Sequence, residues 1–205
     1  ARVLRNIDLI AAQNEETVKR FQTLGAPAER VVVTGSLKYD GAPTDRNNPR
    51  TQALRELAGF ADDDIVFLAG STQEPEEQIA VDIYRQLVAE HSRLRLVLVP
   101  RHPERFDGVA KMLDASGLDW IRRSQLNRKR DAEPPTAIDA PAIDTPDSRD
   151  ATHRRDVLLV DTVGELGAWW GTAQIAFVGG SFGNRGGQNM IEPAAYGAAV
   201  SFGPN

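Results

Sequence analysis

The chain has 205 residues, 41% hydrophobic and 26% charged, with a formal net charge of -5. That composition suits a globular protein with a sizeable core, and it gives no general electrostatic case for nucleic-acid binding. The absence of cysteine excludes disulfides and thiolate metal sites and fits a reducing compartment, while three scattered histidines (His91, His102, His153) argue against a dedicated metal centre.

No apolar run approaches the ~20 residues that span a bilayer, so the expectation is a soluble segment. The chain starts at Ala1 and its last residues read as a strand followed by a turn. That predicts a piece of a longer protein.

Apolar residues 7–12 read as a short buried strand. Asn14 then offers a helix cap, with Glu15 and Glu16 in the first turn and Gly25 as the stop. Residues 31–34 form the next strand, so 1–40 read as one β-α-β unit. Residues 41–50 are polar, contain two prolines and lack periodicity, and they read as a linker at a domain boundary.

A longer α/β series follows over 51–205. A short helix is expected over 51–58 and a strand over 65–69, ended by Gly70, Ser71 and Thr72. Pro75, Glu76 and Glu77 suit the first turn of a helix whose apolar residues recur at Ile79, Ile83 and Leu87. Residues 94–99 read as a buried strand broken by Pro100-Arg101-His102-Pro103. Phe106, Val109 and Leu113 mark a helix that Gly117 ends. Residues 118–121 and 157–160 read as strands. Leu166, Trp169, Trp170 and Ala173 give the inward face of a helix, with both tryptophans in the core. Residues 175–178, a helix from Asn189, and a strand over 199–202 complete the series. Residues 122–156 break the rhythm and read as a poorly ordered surface insertion. Its arginines and lysine (Arg122, Arg123, Arg128, Lys129, Arg130) read as a solvated cluster. Strands alternating with helices predict an α/β fold, a Rossmann-like doubly wound parallel sheet covered on both faces.

In such a sheet the carboxyl ends of the strands share one edge, where ligands bind. The unusual residues collect there: Gly70-Ser71-Thr72, Arg101-His102, Asp161-Thr162, and the glycine-rich loop from Gly179 to Gly187. That loop is neither a GxGxxG fingerprint nor a Walker A loop. Its N–H groups, lying before a helix start, suit phosphate. Arg101 suits a bidentate phosphate contact. His102 reads equally as a turn residue or a ligand contact. Glu192 either complements the helix dipole or accepts from a ribose diol, and Asn189 either caps the helix or meets the ligand. No nucleophile–base pair is visible: Ser71 and Ser181 lack a base partner.

The segments GSLKYD (35–40), AGST..PEE (69–77), LVLVPRHPERF (96–106), VLLVDTVGEL (157–166), FVGGSF (177–182) and GGQN..EPAA.G (186–197) resemble, in order and spacing, the 3-deoxy-D-manno-octulosonic acid (Kdo) transferases. The resemblance covers nearly the whole chain except 122–156. It implies the donor-binding half of a GT-B glycosyltransferase: residues 1–40 as the last unit of the acceptor domain, 41–50 as the hinge, and 51–205 as an incomplete CMP-sugar domain. It also implies metal-independent, inverting transfer from CMP-Kdo to a lipid A precursor, with no cofactor. The general base and a membrane anchor would lie in the N-terminal region, on the cytoplasmic face of a bacterial inner membrane. A UDP-sugar 2-epimerase-like enzyme and a non-catalytic nucleotide-binding domain are the alternatives.

Carried over by motif, the resemblance assigns donor contacts to Ser71, Thr72, Arg101 and His102. It adds Ser181, Phe182, Gly186, Gly187, Gln188, Asn189 and Glu192 from the last loop, and Lys38 as a cleft residue. The family usually has histidine where this chain has Gln73 and Gln188, and glycine where it has Pro75. Glutamine keeps a hydrogen-bond donor but loses the titratable charge.

Overall fold

The computed structural model describes residues 3–35, 41–126, 155–183 and 186–205. Two compact units divide the chain, residues 1–42 and 43–205. Lys38, Arg128, Lys129 and Arg130 lie outside the described residues, as does most of the insertion expected over 122–156.

In the first unit, strands β1 (Ile10–Ala12) and β2 (Val31–Val33) pair in parallel around helix α1 (Glu15–Thr23). Asn14 caps α1 as expected, its side-chain oxygen accepting the N–H of Thr17 at 2.9 Å. Ile10, Ala12, Val18, Ala26 and Val31 form the core. The first strand starts later than its apolar run suggests. The Arg30 guanidinium donates to the carbonyls of Arg5 and Ile7, at 3.1 and 3.3 Å. Those carbonyls are therefore committed to a side chain, and Leu4–Asn6 forms a 3-10 turn.

The second unit opens with helix α2 (Pro49–Ala58), capped by Asn48, whose side chain accepts from Thr51 at 3.0 Å. The linker expected over 41–50 thus ends two residues early, because Asn48-Pro49 is a helix start. Among the described residues six strands follow: β3 (Ile65–Thr72), β4 (Leu94–Pro100), β5 (Trp120–Arg122), β6 (Val157–Leu159), β7 (Ile175–Val178) and β8 (Ala199–Phe202). All pair in parallel, in the order β5-β6-β4-β3-β7-β8. Helices α3 (Glu76–Leu87), α4 (Phe106–Ser116), α5 (Leu166–Trp170) and α6 (Ile191–Ala195) lie between them.

Alternation along the strands builds a core on each face. Val66, Leu68, Val97, Val99 and Leu158 join Leu54, Trp169 and Trp170 on one side. Phe67, Ala69, Leu96, Leu98 and Leu159 meet Ala80, Val81 and Tyr84 of α3 and Val109, Ala110 and Leu113 of α4 on the other. A fully buried valine or leucine in these clusters contributes roughly 1.5–3 kcal/mol by burial. β3 is the centre. Its partner on one side, β4, is the next strand in the chain, and its partner on the other, β7, comes only after β5 and β6, so the chain reverses its direction across the sheet there.

β3 also runs three residues beyond its expected end. Gly70 still pairs with Val99, and Thr72 pairs with Pro100, leaving Ser71 as a bulge between them. Ser71 has φ of 56°, a left-handed value that a non-glycine residue rarely adopts.

Arg122 and Arg123 are not the solvated charges expected of them. Arg122 pairs with Asp107 at 2.7 Å and Asp161 at 3.6 Å. Arg123 is buried and grips Glu165 with two guanidinium nitrogens, at 2.8 and 3.1 Å. Sequence proximity to a polar insertion masked their pairing with acids far along the chain.

Candidate functional site

The carboxyl edge of the second unit is assembled from four loops, and acidic side chains fix three of them. Glu76, 2% exposed, lies in the first turn of α3. Its carboxylate accepts the N–H groups of Gln73 and Gly180 at 2.8 Å each, Ser181 at 2.9 Å and Phe182 at 3.1 Å. Glu77, also 2% exposed, accepts from Arg105 at 3.0 and 3.3 Å and holds the turn after β4. Burial lowers the Arg105 pKa, but hydrogen bonds and charge from Glu77, and then Glu74, more than offset this and hold it above the ordinary arginine value. Glu165 accepts from Thr162 at 2.7 Å and Trp169 at 3.2 Å, besides Arg123, and shapes the turn after β6. Asp161 accepts from the backbone and hydroxyl of Ser124, at 2.9 and 2.7 Å.

This changes the expected role of the glycine loop. The N–H groups of Gly180, Ser181 and Phe182 do not await a phosphate, because an internal carboxylate already takes them. Ser181 is fully buried, its hydroxyl donating to the Val178 carbonyl at 2.9 Å and accepting the Gly203 N–H at 2.8 Å. It has no polar group left for a ligand. Phe182 turns its half-exposed ring towards Phe177, with centroids 5.8 Å apart. Residues in the first turn of α3 cannot be recognised as the loop's partners by spacing, since they lie about a hundred positions away. The nearest sequence signal was the pair of consecutive acids, which equally suits a helix dipole.

The helix expected from Asn189 is short and begins at Ile191. Asn189 lies one residue before the N-cap, Met190, and accepts the Ile191 N–H at 3.0 Å in a turn that precedes the helix, so it is not the cap expected; its amide reaches Glu192 at 3.5 Å. Glu192 is half-buried. A five-residue helix adds little dipole at this edge.

Other predicted residues do converge. The Arg101 guanidinium donates to the side-chain oxygen of Gln188, joining the turn after β4 to the loop after β7. The Arg101 backbone N–H reaches the Thr72 carbonyl at 3.0 Å. Gln73 and Gln188 approach each other over Gly180: a Cβ there would lie 3.4 and 3.2 Å from their amide nitrogens. The hydroxyl of fully buried Thr72 and the amide nitrogen of Gln73 have no hydrogen-bond partner among the described residues. Ser71, re-aimed by the bulge, joins Pro100, Arg101, Thr162, Val163 and Gly164 around a pocket of about 90 Å³. Gly187 donates to the Gly180 carbonyl at 3.0 Å, and Gly186 is exposed beside it. His102 sits half-exposed in the turn, with its ring nitrogen 4.0 Å from Glu104. Among the described residues no group of acids and histidines is arranged to hold a metal, and no helix is long and apolar enough to cross a membrane.

A doubly wound parallel sheet with polar side chains gathered at its carboxyl edge is the Rossmann-like architecture of one half of a GT-B fold. The solved C-terminal CMP-Kdo binding domain of WaaA from Acinetobacter baumannii matches it with a TM-score of 0.58 and 28% identity, covering 76% of this chain and 69% of that one. In sequence, the chain is homologous to the 3-deoxy-D-manno-octulosonic acid transferases over nearly its whole length. It is 37% identical over 190 residues to the one from Haemophilus influenzae, covering 93% of this chain and 39% of that protein. It is 36% identical over 205 residues to the one from Bordetella pertussis, covering 98% and 42%. The family model described as 3-Deoxy-D-manno-octulosonic-acid transferase (kdotransferase) matches residues 1–41. The chain therefore spans well under half the length of these curated relatives.

Proposed function

We propose that the second unit binds the CMP-Kdo donor of a Kdo transferase that delivers the sugar to a lipid A precursor, with inversion and without a metal. The observation that carries this reading is the donor-rich cluster at the carboxyl edge. Arg101 meets Gln188 there, the Gln73 amide lies near Gln188 over Gly180, and both that amide and the hydroxyl of Thr72 at the end of β3 lack partners among the described residues. Buried donors without partners cost folding free energy, and an anionic ligand supplies what they lack. Likeness to a CMP-Kdo binding domain supports the same reading.

The chemistry suits the residues. Departure of a nucleoside monophosphate places growing negative charge on its phosphate, and hydrogen-bond donors fixed beforehand stabilise that charge. Arg101 supplies a cation for it. Gln73 and Gln188 supply donors whose charge does not change with pH. Val163 and Gly164 border the pocket beside Ser71 and suit an uncharged ring such as the base. The acceptor hydroxyl and its general base belong to the rest of the protein, which works at the cytoplasmic face of the inner membrane.

Calorimetric titration of CMP, UMP and UDP into the chain tests the reading, with CMP expected to bind best. Arg101→Ala should weaken CMP about ten- to a hundredfold, the range of a lost charge-assisted contact. Preference for UDP overturns the donor assignment, and unchanged CMP affinity in Arg101→Ala removes that residue from the site.

A further inference from the structure

We infer that Glu76 is a positioning residue for this edge: an internal anion that holds the glycine loop in the form in which Gln188 meets Arg101. The proposal rests on the reading that the edge binds a nucleotide. A carboxylate has about four acceptor positions, and here four backbone N–H groups approach it, two on each oxygen. Three belong to consecutive residues of the loop, Gly180, Ser181 and Phe182. The fourth comes from Gln73, the first residue after β3.

The loop is pressed close against that end. A Cβ on Gly179 would lie 2.6 Å from the Ser71 carbonyl oxygen and the Thr72 Cα, and 2.8 Å from the Glu76 carboxylate. From Gly180 the constraint continues. Its carbonyl accepts the Gly187 N–H at 3.0 Å, and the next residue, Gln188, receives the Arg101 guanidinium. Glu76 therefore fixes Gly180, Gly180 fixes Gly187, and Gly187 sets Gln188 at Arg101. The carboxylate stands where the loop's glycines invite a phosphate. Its occupancy leaves the ligand's anion to side chains.

Glu76→Gln keeps the shape but turns one oxygen into an NH2 donor, which opposes two of the four N–H groups. Proton NMR of the full chain should show amide exchange at Gly180, Ser181 and Phe182 accelerated at least about tenfold, with β3 and β4 unaffected. CMP affinity should fall about tenfold or more through loss of the fixed loop. In Glu76→Ala, millimolar formate should restore protection at the same three amides, a response that a purely packing role does not produce. Unchanged exchange in Glu76→Gln overturns the proposal, and so does accelerated exchange with wild-type CMP affinity. If the wild-type chain binds no CMP, the donor reading fails separately. The side-chain amide resonances of Gln188 then decide: a shift in Glu76→Gln supports its positioning by Glu76, and no shift overturns it.

Discussion

At the scale of single residues, Thr72 is the most informative. Its side chain is fully buried at the end of β3, yet its hydroxyl finds no partner among the described residues. An unsatisfied buried hydroxyl costs about 1–3 kcal/mol. Thr72→Val replaces it with a methyl group of nearly the same size. Urea unfolding should then show the ligand-free chain stabilised by about 1 kcal/mol, while CMP affinity falls. Stability gained without loss of affinity would make the hydroxyl a defect of the fold instead of part of the site. Ser71, next to it, is held in a left-handed conformation at the bulge, and it lines the pocket shared with Arg101 and Thr162. The acids behave differently. Glu76, Glu77, Asp161 and Glu165 all have their oxygens turned to N–H, hydroxyl or guanidinium partners within the protein. They shape loops and leave the edge rich in donors.

At the scale of elements, β3 and the first turn of α3 organise the site. β3 lies between β4 and β7, and α3 fastens the loops that follow both of those strands. Glu77 takes the turn after β4 through Arg105, and Glu76 takes the loop after β7. The packing beneath is close. A Cβ on Gly70 would stand 2.5 Å from the Trp170 ring, so β3 can pass under α5 only with glycine there. Gly70→Ala should destabilise the chain by about 1–3 kcal/mol through overpacking, measured as a lower urea midpoint at unchanged slope. A midpoint equal to wild type would mean that Trp170 moves aside freely.

At the scale of the whole molecule, the two units differ in how much they bury. Among the described residues, the first, residues 1–42, has a core of five residues around a two-stranded sheet. Units of about forty residues seldom build enough core to be stable alone. The second unit carries a six-stranded sheet with a buried cluster on each face. Amides of β1 and β2 should therefore exchange at least about tenfold faster than those of β3 and β4 in native-state hydrogen exchange. Equal protection would show that the first unit draws its stability from elsewhere in the chain.

Much of this molecule was legible in the amino-acid order. Caps and stops located helices in both units, because Asn14 and Gly117 act within one turn. The Ile79–Ile83–Leu87 spacing marked α3 but not its inward face: Ala80, Val81 and Tyr84 pack on the sheet, while Ile83 and Leu87 are exposed. Buried apolar runs marked the parallel strands, and motif spacing carried the resemblance to Kdo transferases that homology then showed. Boundaries went astray where a side chain distant in sequence intervened, as when Arg30 took the carbonyls before β1, or where a bulge carried β3 on to Thr72. The site was legible only as a list of residues. Arg101 and Gln188 are 87 positions apart, and Glu76 lies 104 positions from Gly180. Local sequence determines which backbone groups are left free at a strand end. Only the folded sheet, by bringing four loops to one edge, decided that an internal carboxylate takes the glycine loop, that Arg101 meets Gln188, and that the Thr72 hydroxyl and Gln73 amide lack partners among the described residues.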